Sequence, residues 1–357
     1  MTNNKKFIKI FFSLSLLFLS IVALFNFIID PYQQYRKPTL YKTFYGGNQR
    51  ALNTGLAKNH NYNSVVIGSS MTENFLISKV SEIINNPIKL SISGGSAHEI
   101  FNTLNTVFKS NNNIETVLIG LDIYAVSGKI DRLRYGDNSL PLYLYDYNYL
   151  NDIFYLINFD TLKEFVKVIT LPIIKKNDLN WNYENMYQWQ DKAENEFGKE
   201  NVLKILKESP IDNNKFDKNE YSFETLKKSF DYNFLALVKS NPNKNFIFFY
   251  PPYSIIAFKD WTEKDILFDI IKFKLYVNEE FSNLKNVILY DFQSAIEITT
   301  NLDNYKDFSH YHQNINHWMI EQIKENNYLV TKDNIDEHLE NLRKQIEEYD
   351  LNKSILD

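Results

Sequence analysis

The chain has 357 residues, 44% hydrophobic and 15% aromatic, and its 39 Lys and Arg against 44 Asp and Glu give a net charge of −5. This composition excludes a disordered chain and nucleic-acid binding by bulk positive charge. With no cysteine and only ten glycines, disulfide-scaffold and collagen-like classes fall away too.

The first nine residues hold Lys5, Lys6 and Lys9, followed by an uncharged run from Ile10 to Ile29. About 20 apolar residues suffice for a helix to cross a bilayer. Residues 1–9 are therefore expected as a cytoplasmic tail and 10–29 as an uncleaved signal anchor in the cell membrane. Arg36, Lys37 and Lys42 on the other flank reduce the charge asymmetry. A cleaved signal peptide is the alternative, but the run ends in Phe-Ile-Ile-Asp with no small-residue cleavage site.

Residues 30–63 read as an irregular linker with a turn at Gly46-Gly47-Asn48. A repeating pattern then begins. Ser64–Ile67, Ile88–Ile92 and Thr116–Ile119 are short apolar runs, each ending at or near glycine, with helical periodicity between them at 75–84 and 99–109. Asn245–Tyr250 and Asn286–Tyr290 add two more runs, separated by an amphipathic stretch at about 264–282. Strands alternating with helices predict an α/β domain with a parallel sheet, here over residues 64–327. The segment from about 130 to 235, rich in tyrosine, tryptophan and asparagine, reads as a helical insertion capping the sheet. Residues 328–357 read as a charged C-terminal helix with a solvated face, Asn334 and Glu337 having capping-box spacing.

Ligands of such sheets bind at the carboxyl ends of strands. Those ends carry Gly68-Ser69-Ser70, Ser93-Gly94-Gly95-Ser96, Gly120-Leu121-Asp122 and, after the last strand, Asp307-Phe308-Ser309-His310. Serine is a weak nucleophile until a base takes its proton. An imidazole suits that task, and a carboxylate three residues earlier can orient the ring. The amides of Ser70 and Gly94 would stabilise an oxyanion. Plainer roles exist: Ser70 opening a helix ahead of Glu73, and Asp307 as a helix cap. His310, His312 and His317 with Asp307 could also be read as metal ligands, but they match no familiar ligand spacing. His98 and Glu99 read as a helix start or as substrate contacts. Tyr143, Tyr145, Trp181, Tyr187 and Trp189 read as core packing or as a sugar-stacking platform.

The four strand ends resemble the blocks of the SGNH/GDSL hydrolase superfamily over roughly residues 60–125 and 245–325. The resemblance implies a flavodoxin-like three-layer fold and a triad of Ser70, His310 and Asp307. It also places Gly94, Gly95 and Asp122 at the oxyanion and substrate positions, with no cofactor and no metal. The chain departs from the pattern at Ser69, where the family has aspartate, and at Asp122, where it has asparagine. An ionised aspartate accepts hydrogen bonds and donates none, so Asp122 is protonated, serves another purpose, or leaves the oxyanion to backbone donors. With its membrane segment, the chain is similar to the branch acting on cell-envelope polymers, which includes alginate O-acetylation proteins and the teichoic-acid D-alanylation protein. The implied function is a membrane-anchored serine esterase or O-acyltransferase, with acetyl as the expected group. Its expected partners are a polysaccharide or acylated glycan and a membrane-bound acyl donor protein, with no nucleic acid. The alternatives are an inactive glycan-binding or assembly protein of the same fold, and a lipid esterase. The lipid esterase ranks lower because no exposed apolar helix is evident after the anchor.

Overall fold

The computed structural model describes residues 2–111, 113–137, 139–192, 194–208 and 217–351. Five strands form its sheet: β1 (Ser64–Ile67), β2 (Pro87–Lys89), β3 (Thr116–Gly120), β4 (Asn245–Tyr250) and β5 (Val287–Asp291). All neighbours pair in parallel, in the order β2-β1-β3-β4-β5. This is a doubly wound order also seen in flavodoxin. Successive strand residues face opposite sides, and Ser64, Val65, Val66 and Ile67 are all buried, so both faces of β1 are covered.

Helices of eight or more residues are α1 (Thr2–Ile29), α2 (Gln49–Asn59), α3 (Ala97–Ser110), α4 (Phe159–Ile174), α5 (Lys199–Glu208), α6 (Phe223–Phe230), α7 (Ile255–Glu263), α8 (Leu267–Ser282), α9 (Gln313–Glu325) and α10 (Ile335–Glu348). Helix α6 continues through a π-turn into Ala236–Lys239 and packs on the sheet and α8. The Phe248 ring lies 4.7 Å from Phe281 and 5.9 Å from Phe234, and Phe230 lies 5.3 Å from Phe281. The end of the segment read as an insertion is thus part of the crossover between β3 and β4.

Two further expectations change. The linker 30–63 contains α2, which buries the polar Arg50, Asn53 and Thr54 alongside Ala51, Leu52, Leu56 and Ala57. Gly55 lets this helix approach the chain leaving α1. A Cβ there would lie 1.9 Å from the Tyr32 carbonyl oxygen. At the C-terminus, Asn334 forms no capping box. Its side chain accepts from the Thr331 amide (2.7 Å) and donates to the Leu329 carbonyl (2.8 Å). Helix α10 buries Ile335, Leu339, Leu342 and Ile346, so only its other face is solvated. Residues 352–357 lie outside the described residues.

Helix α1 is long and apolar enough to cross a membrane. It is mostly exposed until its last turns, where Val22 and Asn26 are buried. Asn26 Nδ2 donates to the Leu156 carbonyl (2.8 Å), and the Phe25 ring packs on Phe165 of α4 at 6.0 Å. Asp30 then ties the exit of α1 into the domain. Its carboxylate accepts from the amides of Gln34 (2.8 Å), Tyr35 (2.8 Å) and Arg36 (3.2 Å) and from the Tyr155 hydroxyl (2.8 Å). Burial raises the Asp30 pKa despite these donors. The Arg36 guanidinium turns back onto the carbonyls of Phe27 and Ile28, capping α1 with positive charge.

Candidate active site

The turn after β1 places Ser70 at the carboxyl end of the sheet. Ser70–Thr72 form a single 3-10 turn, and its cap is Ser69, whose Oγ accepts from the Met71 amide. The Ser70 hydroxyl is therefore free of capping and lies 2.8 Å from His310 Nε2. As the first residue of the turn, Ser70 has an amide with no partner inside it.

The opposite wall is a tight hairpin in which Tyr305 bridges Tyr311 and the Lys306 amide donates to the His310 carbonyl (3.0 Å). The Tyr311 hydroxyl donates to the Met71 carbonyl (3.1 Å), joining this hairpin to the serine turn. His310 Nδ1 lies 2.8 Å from Asp307 Oδ2 and 3.0 Å from Oδ1. With Nδ1–H donating to that carboxylate, Nε2 is left to accept from Ser70. Burial opposes ionisation of Asp307. The His310 ring and the amides of His310 and Ser309 outweigh it, and its pKa falls to about 2. Asp307 does not cap the following helix; His312 does, with α9 starting at Gln313.

Ser70 and His310 open into a cavity of about 330 Å³. Its walls include Gln49 from α2, Glu73, Ser93, Trp189 and Lys306. Gln49 accepts from the Ser93 amide (2.6 Å) and donates to Glu73 Oε1 (2.6 Å). Burial raises the Glu73 pKa, while Gln49 and the charges of His310, Lys89 and Lys192 pull it back. Lys89, buried on β2, donates to the carbonyls of Glu73 and Phe75 (2.6 Å each) and so pins the chain after the serine turn. Its burial brings its pKa down to about 7. The Trp189 ring meets His310 edge-on at 5.4 Å, and Lys306 Nζ sits 4.3 Å above that indole. A second cavity of about 240 Å³ adjoins the first across Phe44, Gly46, Gly47 and Lys175 and reaches Val168 and Leu171 of α4.

The structure thus brings Ser70, His310 and Asp307 together, and sets three other expected residues elsewhere. Asp122 is buried and turned from the cavity. Its Oδ2 accepts from Ser69 Oγ (2.6 Å), and its Oδ1 accepts from the Tyr124 amide (2.9 Å) and the Tyr253 hydroxyl. It braces the residue before Ser70 and caps the helical turn at Ile123–Val126. The Gly95 amide is spent on the Ile92 carbonyl (2.7 Å). Gly94 has φ +57 beside Arg134, and from this loop the cavity wall takes Ser93 instead.

Glu99 is fully buried rather than at a surface helix start. It forms a capping box with Ser96 and a two-pronged ion pair with Arg50 (2.7 and 3.0 Å). His98 stacks on Phe101, with its Nδ1 3.2 Å from Asn233 Oδ1. Of the five aromatics, Tyr187 and Trp189 line the cavity. Tyr145 is buried, its hydroxyl donating to the Arg50 carbonyl (2.7 Å). Trp181 packs on Phe44 at 4.9 Å and Tyr143 on Phe154 at 6.0 Å. His312 stacks edge-on against Phe197, and among the described residues no three metal-ligating side chains are gathered.

Gln49, Glu73, Lys89 and Lys306 were missed as site residues. The one sequence signal was Lys89, a charge inside an apolar strand run. No family model and no curated protein matches the sequence. Among solved structures, the chain is similar to a “putative platelet activating factor from Streptococcus pneumonia”, with 9% identity and a TM-score of 0.41 over 79% of this chain and 92% of that one. A likeness of this degree assigns no function.

Proposed function

We propose that the chain is a membrane-anchored serine esterase or O-acyltransferase of the SGNH/GDSL type, with Ser70 as nucleophile, acting outside the cytoplasm on acyl esters of an envelope or exported polysaccharide. The observation that carries this reading is the continuous relay from Ser70 Oγ through His310 to Asp307, with 2.8 Å at each step, opening into a solvent-reached cavity. Ser70 Oγ attacks the ester carbonyl as its proton passes to His310 Nε2. Asp307 holds the ring and stabilises the imidazolium. The Ser70 amide is the first oxyanion donor. The second N–H of the Gln49 side chain takes the place of the family's asparagine. Collapse of the tetrahedral intermediate returns the His310 proton to the leaving alkoxide and leaves an acyl-Ser70 ester. Water then gives hydrolysis; a sugar hydroxyl, supplied with an acyl donor, gives transfer. Acetyl is the expected group.

Helix α4 supports a second reading, hydrolysis of lipid esters, because it is the exposed apolar helix after the anchor that the sequence did not disclose. The test uses the full chain in detergent with a fluorophosphonate probe and an acetyl ester. Wild type is expected to be labelled and to turn over the ester, and Ser70→Ala to do neither while melting at the same temperature. Equal labelling of the two refutes the nucleophile. Release of fatty acid from phospholipid but no acetate from glycan esters selects the second reading.

A further inference from the structure

Helix α4 carries Phe159, Leu162, Val166, Ile169 and Ile173 at alternating three- and four-residue steps, the spacing of one apolar face. In a soluble domain that face would be covered. Here Phe159, Val166 and Ile169 are all more than half exposed, and Ile173 is 81% exposed. At 16 residues, α4 is about 24 Å long, short of the roughly 30 Å needed to span a bilayer. Its position says what covers it. Phe165, next to the stripe, packs on Phe25, while Asn26 is bound to the Leu156 carbonyl just before α4. The stripe therefore lies beside the last turns of α1, where Leu24, Phe25 and Ile28 are themselves exposed. Within the helix, Lys163 pairs with Asp160 and Lys167 with Glu164, so attraction to anionic lipid is not its main force.

We propose that α4 lies in the interfacial plane of the bilayer that holds α1, with Phe159, Val166, Ile169 and Ile173 among the acyl chains and the exposed Asp160–Lys163 pair at the headgroups. The driving force is burial of apolar area. The opposite side of the helix, through Val168 and Leu171, lines the cavity that adjoins the Ser70 site. One helix then separates lipid from that cavity. The proposal does not depend on catalysis by Ser70, but it does require α1 to be in the membrane.

Because the chain has no cysteine, single substitutions can be labelled cleanly. Ile169→Cys and Ile173→Cys in the full chain, each carrying an environment-sensitive fluorophore, are reconstituted in phosphatidylcholine vesicles. Leu16→Cys reports on α1, and Phe268→Cys, on an exposed face of α8, reports on water. Labels at 169 and 173 are expected to be quenched by brominated phosphatidylcholine, as at 16. They should be shielded from aqueous iodide roughly fivefold relative to 268. Iodide quenching at 169 and 173 equal to that at 268 overturns the proposal. Shielding without quenching by brominated lipid also overturns it, in favour of a protein partner or a second copy. Absence of lipid quenching at 16 overturns the membrane anchor and this proposal together, and leaves the Ser70 chemistry untouched.

Discussion

Replacing Asp122 by asparagine distinguishes an oxyanion position from a brace. Asparagine is the residue the SGNH pattern has there, so an oxyanion role predicts a gain in activity. The structure predicts a loss of stability. Asp122 accepts three hydrogen bonds, from Ser69 Oγ, the Tyr124 amide and the Tyr253 hydroxyl. In Asp122→Asn, Oδ1 still accepts from Tyr124 and Tyr253, but as a neutral group. The new NH2 faces Ser69 Oγ, which already accepts from the Met71 amide at 3.3 Å, so the Ser69 hydroxyl loses its acceptor. A hydrogen bond to a charged group contributes about 1.5–3 kcal/mol and a neutral one about 1. One lost bond and two weakened ones amount to about 2.5 kcal/mol or more. At roughly 2–4 °C per kcal/mol for large domains, the melting temperature falls by about 5 °C or more. The turn carrying Ser70 loosens with it, so kcat for an acetyl ester is expected to fall and not to rise. Thermal unfolding and steady-state hydrolysis on the same preparation make the measurement. An unchanged melting temperature with kcat raised on the order of a hundredfold, the value of one oxyanion donor, refutes the brace.

Gly55→Ala forces a methyl to within 1.9 Å of the Tyr32 carbonyl oxygen. Overpacking against backbone is expected to cost about 3 kcal/mol or more, whereas Gly47→Ala, which meets nothing within 4 Å, should melt like wild type; equal melting of the two variants refutes the close approach. Asp307 predicts an acid-side pH dependence. Its pKa is depressed from 3.8 to about 2 in the fold, so its contribution is fully present above about 4 and is lost as pH falls through about 2. That contribution is at most about 2 kcal/mol. Urea midpoints measured from pH 5 to 2 should fall more steeply for wild type than for Asp307→Asn, and parallel curves refute it.

What could be read from the sequence was what is local. The strands showed as apolar runs because a sheet covered on both faces needs no polar residues in them. Asp307 and His310 are three residues apart, so their pairing lies within one turn of chain. Helix α2 stayed hidden because Arg50, Asn53 and Thr54 are interspersed with Ala51, Leu52, Leu56 and Ala57 on its buried side, where the ion pair of Arg50 and the hydrogen bonds of Asn53 replace part of the apolar pattern. Gln49 precedes Ser70 by 21 residues and meets Glu73 only when α2 docks. The purpose of Asp122 depends on Tyr253, 131 residues away. The stretch that holds α4 reads only as part of a helical insertion. That its face is left uncovered follows only from where α1 leaves it.

The carboxylate of Asp30 determines more than a turn. A domain hung on about 15 flexible residues wanders over roughly 20 Å and samples its surroundings at every height and tilt. Four donors to a single buried side chain remove that freedom at the point where α1 ends. With α1 in a bilayer, the domain diffuses in two dimensions, and the cavity at Ser70 sweeps one fixed layer above the lipid. Reach then becomes a selectivity filter. If the substrate is the exported polysaccharide proposed above, strands close to the membrane pass through that layer, and the same chemical groups farther out do not.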